Sequence, residues 1–114
     1  MRKTGSIVRN KDFKRIYARG KNLANKYCVV YMVKNRAGVS RLGITVSKKL
    51  GNAVKRNRAR RLLRESFRLL EHEVKDGFDL VIVARFMTVE AKQMSVQKAL
   101  YDLLSGLDLI KNES

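Results

Sequence analysis

The sequence contains no proline, so element boundaries must be read from Gly, Asn, Asp and Ser. Its single cysteine, Cys28, excludes an internal disulfide, and there is no CxxC pair or Cys/His cluster to hold zinc. His72 is the only histidine, which excludes two-histidine acid–base chemistry. No stretch approaches the roughly 18–20 apolar residues a transmembrane helix needs. The opening MRKTGSIVRNKDF lacks the apolar core of a signal peptide, so the expected location is the cytoplasm, with no membrane partner. Acids are scarce: ten Asp and Glu stand against 26 Lys and Arg. They are scattered, and Glu71, Glu73, Asp76 and Asp79 read as charges flanking a basic helix rather than as a metal site. Gly43, Gly51 and Gly77 form no phosphate loop, and Ser47 and Ser66 lack partners for nucleophilic chemistry. The expectation is therefore no catalytic residue and no protein-held metal.

What the chain has is positive charge on a foldable body. The formal net charge is +16 and the pI about 10.6. Self-repulsion on that scale opposes folding, so the charge points to an anionic partner. With 45% hydrophobic residues, the 114-residue chain can bury a core as a single domain, 1–114. Nine of its basic residues fall in Lys48–Arg68: Lys48, Lys49, Lys55, Arg56, Arg58, Arg60, Arg61, Arg64 and Arg68, with Glu65 as the lone acid. A charge run usually means a solvated face or a tail. Here Ala59, Leu62, Leu63, Phe67, Leu70 and Val74 thread through it at helical spacing. The element is expected to be a helix with a buried stripe and a cationic side, where Arg forks suit phosphate oxygens. By phase, Arg56 lies near the buried stripe and Arg60 at its border. Lys48 and Lys49, just before the helix start, add donors at a positive dipole end.

Along the chain, residues 1–9 read as a loose basic arm. Asn10 caps a short helix, Lys11–Arg19, ending at Gly20, with Phe13, Ile16 and Tyr17 on one face. Those rings are either core or an exposed platform for stacking bases. Lys21–Lys26 is a loop or very short strand; Tyr27–Val33 and Arg41–Ser47 are strands joined by a turn at Gly38. The Gly43, Thr45, Ser47 face is small, leaving room either for another molecule or for a close-packed helix. The cationic helix runs from Asn52 to about Lys75 and stops at Gly77. Phe78–Arg85 is a central, parallel strand. Thr88 caps a last helix with the stripe Val96, Leu100, Leu103, Leu104, Leu107, and 108–114 fray. The fold class is α+β: a two-layer α/β sandwich with a three- to four-stranded mixed sheet and three helices, in the order α-β-β-(β)-α-β-α, helices mainly on one face.

The run LGITVSKKLGNAVKRNRARRLLRESF, centred on Arg56-Asn57-Arg58, resembles the signature of the bacterial ribonuclease P protein subunit. RNKDFKRIYARG, LANKYCVVYMV and DLVIVAR match that family in order and spacing, so the resemblance spans about residues 6–105. It implies a protein cofactor of an endoribonuclease whose RNA is the catalyst. The complex removes the 5′ leader of precursor tRNA, using Mg²⁺ held chiefly by the RNA, and no protein partner is required. It implies contacts to the catalytic RNA from Lys48, Lys49, Lys55, Arg56, Asn57, Arg58, Arg60, Arg61, Arg64 and Arg68. It implies a leader cleft at Phe13, Tyr17 and Tyr31; Tyr17 stands where many members have Phe, and the ring is kept. It also implies a left-handed βαβ crossover, which periodicity cannot detect. Arg56 and Arg58, as RNA contacts, are expected to be dispensable for folding. A ribosomal or ribosome-assembly protein is the competing reading of size and charge; the full Lys48–Arg68 string and the first-helix aromatics argue against it.

Overall fold

The apolar run FDLVIVA becomes the centre of a sheet because both of its faces are covered. The computed structural model describes residues 4–111. Five strands, β1 (Gly5–Ser6), β2 (Lys21–Ala24), β3 (Cys28–Lys34), β4 (Arg41–Thr45) and β5 (Phe78–Ala84), form one sheet in the order β1-β4-β5-β3-β2. β5 runs parallel to β4 and antiparallel to β3. Leu80 and Ile82 point toward α2 (Ala53–Leu70) and α3 (Gln93–Gly106), where Leu63, Phe67, Leu100 and Leu104 complete the main core. Val81 points the other way, into a small cluster with Ile7 and with Ile16 of α1 (Asn10–Arg19). Alternation on one strand thus feeds two cores. Cys28 lies in the main core, where burial pushes its thiol up to about 12 and leaves it unreactive.

The fold class is the expected one: three helices on a mixed sheet, two of them on one face. The sheet has five strands rather than three or four, because both edges are paired. β2 is exposed at every position and β1 is only Gly-Ser, so neither carries an apolar alternation. They form because the open edges of β3 and β4 need backbone partners. Gly5 donates to Ser40 O at 2.9 Å and Ile7 to Leu42 O at 3.0 Å, and Ile7 is buried. The segment from Thr4 to Ile7 is therefore docked, not a loose arm; residues 1–3 lie outside the described residues.

The connection from β4 to β5 passes through α2. Asn35 donates to Gly77 O at 2.8 Å and Arg85 to Tyr27 O at 2.9 Å, so odd residues of β5 turn their amides toward β3 and even ones toward β4. The even side chains face α2. For an L-residue in a strand seen running upward, side chain toward the viewer, the amide groups point right. Seen from α2, β4 therefore lies to the right of β5. The chain passes from right to left through a helix in front of the sheet, which is a left-handed crossover against the usual rule.

Helix boundaries differ from the periodicity in instructive ways. α1 begins at Asn10, one residue early, with Arg9 as an N-cap that makes no side-chain bond. Asn52 caps α2 as expected, its Oδ1 accepting from Lys55 N at 3.0 Å. The strand expected to reach Ser47 stops at Thr45, and Ser47 caps a 3₁₀ turn, Lys48–Leu50. α2 ends at Leu70, followed by a 3₁₀ turn at Glu71–Glu73, so it is about 27 Å long and stops short of the expected Lys75. The stripe residue Val74 is buried but extended, and bridges to Ile110. Lys75 donates to Leu109 O and Lys111 to Glu73 O, both at 2.8 Å. This pairing ends the helix early and also holds 108–111, which were expected to fray; residues 112–114 lie outside the described residues. Gly77, at φ 90, shapes the entry to β5 instead of terminating a helix. Thr88 does not cap the last helix. It is fully buried in a 3₁₀ turn, Phe86–Glu90, with its hydroxyl donating to Tyr27 O, and α3 starts at Gln93 after Lys92.

Candidate nucleic-acid interface

Phe13 and Tyr17 lie one turn apart on α1, and Tyr31 stands on β3 beneath them. The Phe13 and Tyr17 ring centroids are 6.4 Å apart, tilted by 36°; Tyr17 and Tyr31 are 5.0 Å apart, edge to face at 77°. The structure thus brings together the three aromatic residues singled out in the sequence. Tyr17 is 39% exposed, while Phe13 and Tyr31 are half-buried, so the rings are neither pure core nor a free platform. Gly43 explains how Phe13 sits so close to the sheet: a Cβ there would lie 2.7 Å from Phe13 Cε1. The small-residue face therefore seats a helix, as one of its two readings held. The Tyr17 hydroxyl and Thr45 Oγ1, 2.9 Å apart, tie the next turn to β4.

Sequence reasoning missed the polar anchor of this face. The Asp79 side chain is wholly buried and accepts hydrogen bonds from Arg15 Nη2 (2.9 Å), Asn35 Nδ2 (2.9 Å), Arg41 Nε (2.9 Å) and Arg41 Nη2 (2.7 Å). Asp12 stands 3.8 Å from Arg15 and 3.7 Å from Arg41. An acid opening an apolar strand, in FDLVIVA, was the available signal. Burial alone would raise the Asp79 pKa; the hydrogen bonds from Arg41, Asn35 and Arg15 outweigh it and hold the carboxyl at about 2, below its ordinary 3.8. A carboxyl depressed in the folded state stabilises fully above its unfolded pKa and loses that contribution as pH falls through the folded value. Between about pH 4 and pH 2, then, the fold should lose on the order of 2 kcal/mol at this group. Urea unfolding at pH 5 and pH 2.5 should show a smaller pH effect in Asp79→Asn than in the parent chain. Identical pH effects in the two would remove Asp79 as a source of acid lability.

The cationic residues divide into four kinds. Lys48, Lys49, Lys55, Arg61, Arg64 and Arg68 are exposed, and among the described residues none of them makes an ion pair or a side-chain hydrogen bond. Arg60 is half-buried and donates to Asn57 Oδ1 at 2.8 Å, an intrahelical pair one turn apart. Arg56 is half-buried, as its phase indicated, and its Nε is a buried nitrogen with no partner among the described residues. Arg58 is the correction. Its Nε donates to Val89 O at 3.0 Å and its Nη2 to Ala91 O at 3.1 Å, so the fork clamps the turn between β5 and α3. Arg58 is therefore tied to the backbone of its own fold, which opposes the expectation that its loss leaves the fold untouched. Arg58→Ala should lower stability by about 1–2 kcal/mol, roughly 5–10 °C in thermal midpoint. A midpoint within 1 °C or so of the parent, measured by circular dichroism, would show that the clamp is idle.

Arg60, Arg64 and Arg68 recur every four residues and line a groove of about 1070 Å³. Its other wall is the β1–β4 edge, with Ile7, Phe13 and Gly43 at one end and Lys75 and Lys111 at the other. The groove thus carries the cationic flank of α2 round the sheet edge to the aromatic face. Among the described residues, no group of three His, Cys, Asp or Glu is placed to hold a metal ion, and no helix is long and apolar enough to cross a membrane.

Comparison with known proteins matches this architecture along nearly the whole chain. The family model described as Ribonuclease P matches residues 1–108. The ribonuclease P protein component of Clostridioides difficile (strain 630) is 40% identical over 108 residues, 94% of this chain and 95% of that one. That of Thermoanaerobacter sp. (strain X514) is 46% identical over 103 residues, covering 90% and 89%. Among solved structures, the Staphylococcus aureus RNase P protein superposes with a TM-score of 0.85 at 36% identity, covering 96% of this chain and 100% of that one. The Thermotoga maritima RNase P protein gives 0.80 at 34% identity, covering 97% and 100%. The left-handed crossover, the Arg-rich helix that makes it and these matches over nearly the whole chain converge: the chain belongs to the ribonuclease P protein family.

Proposed function

We propose that this chain is the RNA-binding cofactor of ribonuclease P, gripping the catalytic RNA with α2 and the 5′ leader of precursor tRNA with the aromatic cleft. The family places it in tRNA processing, in a complex with an RNA subunit. The observation that carries the finer reading is the set of exposed cations on and before α2 that have no ion-pair partner among the described residues. Unpaired arginines on a rigid helix make charge-assisted bonds to phosphates without first breaking internal ones. The rings at Phe13, Tyr17 and Tyr31 suit single-stranded bases, which stack on any π-face. Duplex RNA, by contrast, is held by shape and phosphates, which suits α2.

Among the described residues, the carboxylates are dispersed or, at Asp79, spent on arginines, and do not fit a Mg²⁺ site. In this reading the Mg²⁺ ions of cleavage belong to the RNA. The protein's part is to screen phosphate repulsion and to hold the leader in place. The complex acts in the cytoplasm and needs no second protein. The test is cleavage of precursor tRNA at low, near-physiological Mg²⁺ by a bacterial ribonuclease P RNA, with and without this protein. Correct 5′ maturation only with both components is the expected result. Tight binding to structured RNA with cleavage unchanged would instead favour a ribosome-associated role.

A further inference from the structure

The rings of the cleft come from two elements. Phe13 and Tyr17 ride on α1 and Tyr31 stands on the sheet, so their separation depends on where α1 sits. Little apolar surface fixes that seat. Ile16 is the one buried residue of α1, and its cluster holds only Ile7 and Val81 besides among fully buried side chains. Apolar contact is also non-directional, so by itself it leaves α1 free to slide or roll. Two directional ties reach α1: the Tyr17 hydroxyl at Thr45 and, with four accepted bonds, the Asp79 carboxylate, which joins Arg15 of α1 to Arg41 of β4 and to Asn35 just beyond β3.

We propose that Asp79 is a positioning residue for the aromatic cleft: by holding Arg15 it fixes α1 so that Phe13 and Tyr17 meet an RNA strand together with Tyr31. This rests on the reading of the cleft as the leader site. Asp79 is wholly buried and touches no RNA itself. Replacing it with Asn adds one unit to the net positive charge, which on Coulombic grounds strengthens binding to any RNA. A loss of leader affinity in that variant is opposite in sign to its charge effect and has to come through the placement of α1.

The full-length protein is reconstituted with a bacterial ribonuclease P RNA, and affinities are measured for precursor tRNA, for mature tRNA and for the RNA subunit. In Asp79→Asn the precursor-to-mature affinity ratio should fall about tenfold, the size of one weakened stacking contact, while affinity for the RNA subunit stays within about twofold. Arg15→Gln releases the same anchor from the half-exposed helix side and covers the case in which Asp79→Asn fails to fold; it should lower the ratio as well, and Arg15→Lys should restore part of it. A ratio equal to the parent's in every folded variant overturns the proposal. So does an equal fall in precursor, mature and RNA-subunit affinities, which would make the network a general support of the fold. If the parent protein itself shows no preference for precursor tRNA, the leader reading fails and this proposal with it. A parental preference that the variants leave intact removes the positioning role alone.

Discussion

Replacing Arg61, Arg64 and Arg68 together with alanine should weaken binding of ribonuclease P RNA on the order of 100-fold, taking about 1 kcal/mol for each exposed charge-assisted contact. The same variant should lower the slope of log affinity against log salt by about 2–3, because each lost phosphate contact no longer releases its counterion. Folding should be unharmed. The three side chains are exposed and make no ion pair among the described residues, and removing them relieves self-repulsion in a chain of net charge +16. Thermal midpoints measured beside the binding isotherms separate this from Arg58→Ala, where lost stability accompanies any lost affinity. An unchanged salt slope in the triple variant would mean that this flank of α2 does not meet phosphates, whatever the affinity does.

That contrast between Arg58 and its neighbours marks the limit of what a sequence can disclose about such a helix. The 3.6-residue period placed Ala59, Leu62, Leu63, Phe67 and Leu70 inside and Arg56 near the buried side, and all of these stand so. Periodicity ranks residues by angle around one helix, and angle is what it reports correctly. It carries no information about which distant backbone arrives at that angle. The carbonyls of Val89 and Ala91 come from a turn some 30 residues away, so Arg58 looked like any other outward cation. The same reasoning covers Thr88, a good helix cap by type whose hydroxyl goes instead to the carbonyl of Tyr27, just before β3.

Edges were illegible for a related reason. β1 and β2 have no alternation of their own; the unsatisfied backbone of β4 and β3 recruits them. Val74 satisfied the helical stripe and was buried as the stripe required, yet it is extended, because the 109–111 segment supplies the backbone bonds that another helical turn would have made. The site divides the same way. Phe13 and Tyr17 were legible as neighbours from their i, i+4 spacing, whereas the place of Tyr31 beside them was implied only by the family resemblance. The carboxylate that seats α1 was passed over as a flanking charge, since only the topology brings Arg15, Asn35 and Arg41 to Asp79.

Phe13→Ala and Tyr31→Ala should each lower the affinity of the reconstituted complex for precursor tRNA about 10- to 100-fold, from roughly 1–3 kcal/mol per stacked base, and leave mature tRNA affinity nearly unchanged. Selectivity is the informative quantity, because both substitutions also affect folding. Phe13 covers Gly43, and removing its ring opens a space over the β4 backbone; Tyr31 supports the edge of Tyr17. A smaller folded fraction depresses both substrates in equal proportion and cancels in the precursor-to-mature ratio. Tyr17→Phe provides the opposing case: it deletes the hydroxyl bond to Thr45 and keeps the ring, so the ratio should move by no more than about threefold if stacking is the source of affinity. If Tyr17→Phe lowers the ratio as much as Phe13→Ala does, the cleft works through the hydroxyl's hydrogen bonds and not through its ring faces. Equal losses for precursor and mature tRNA in the two alanine variants would place the leader elsewhere on the protein.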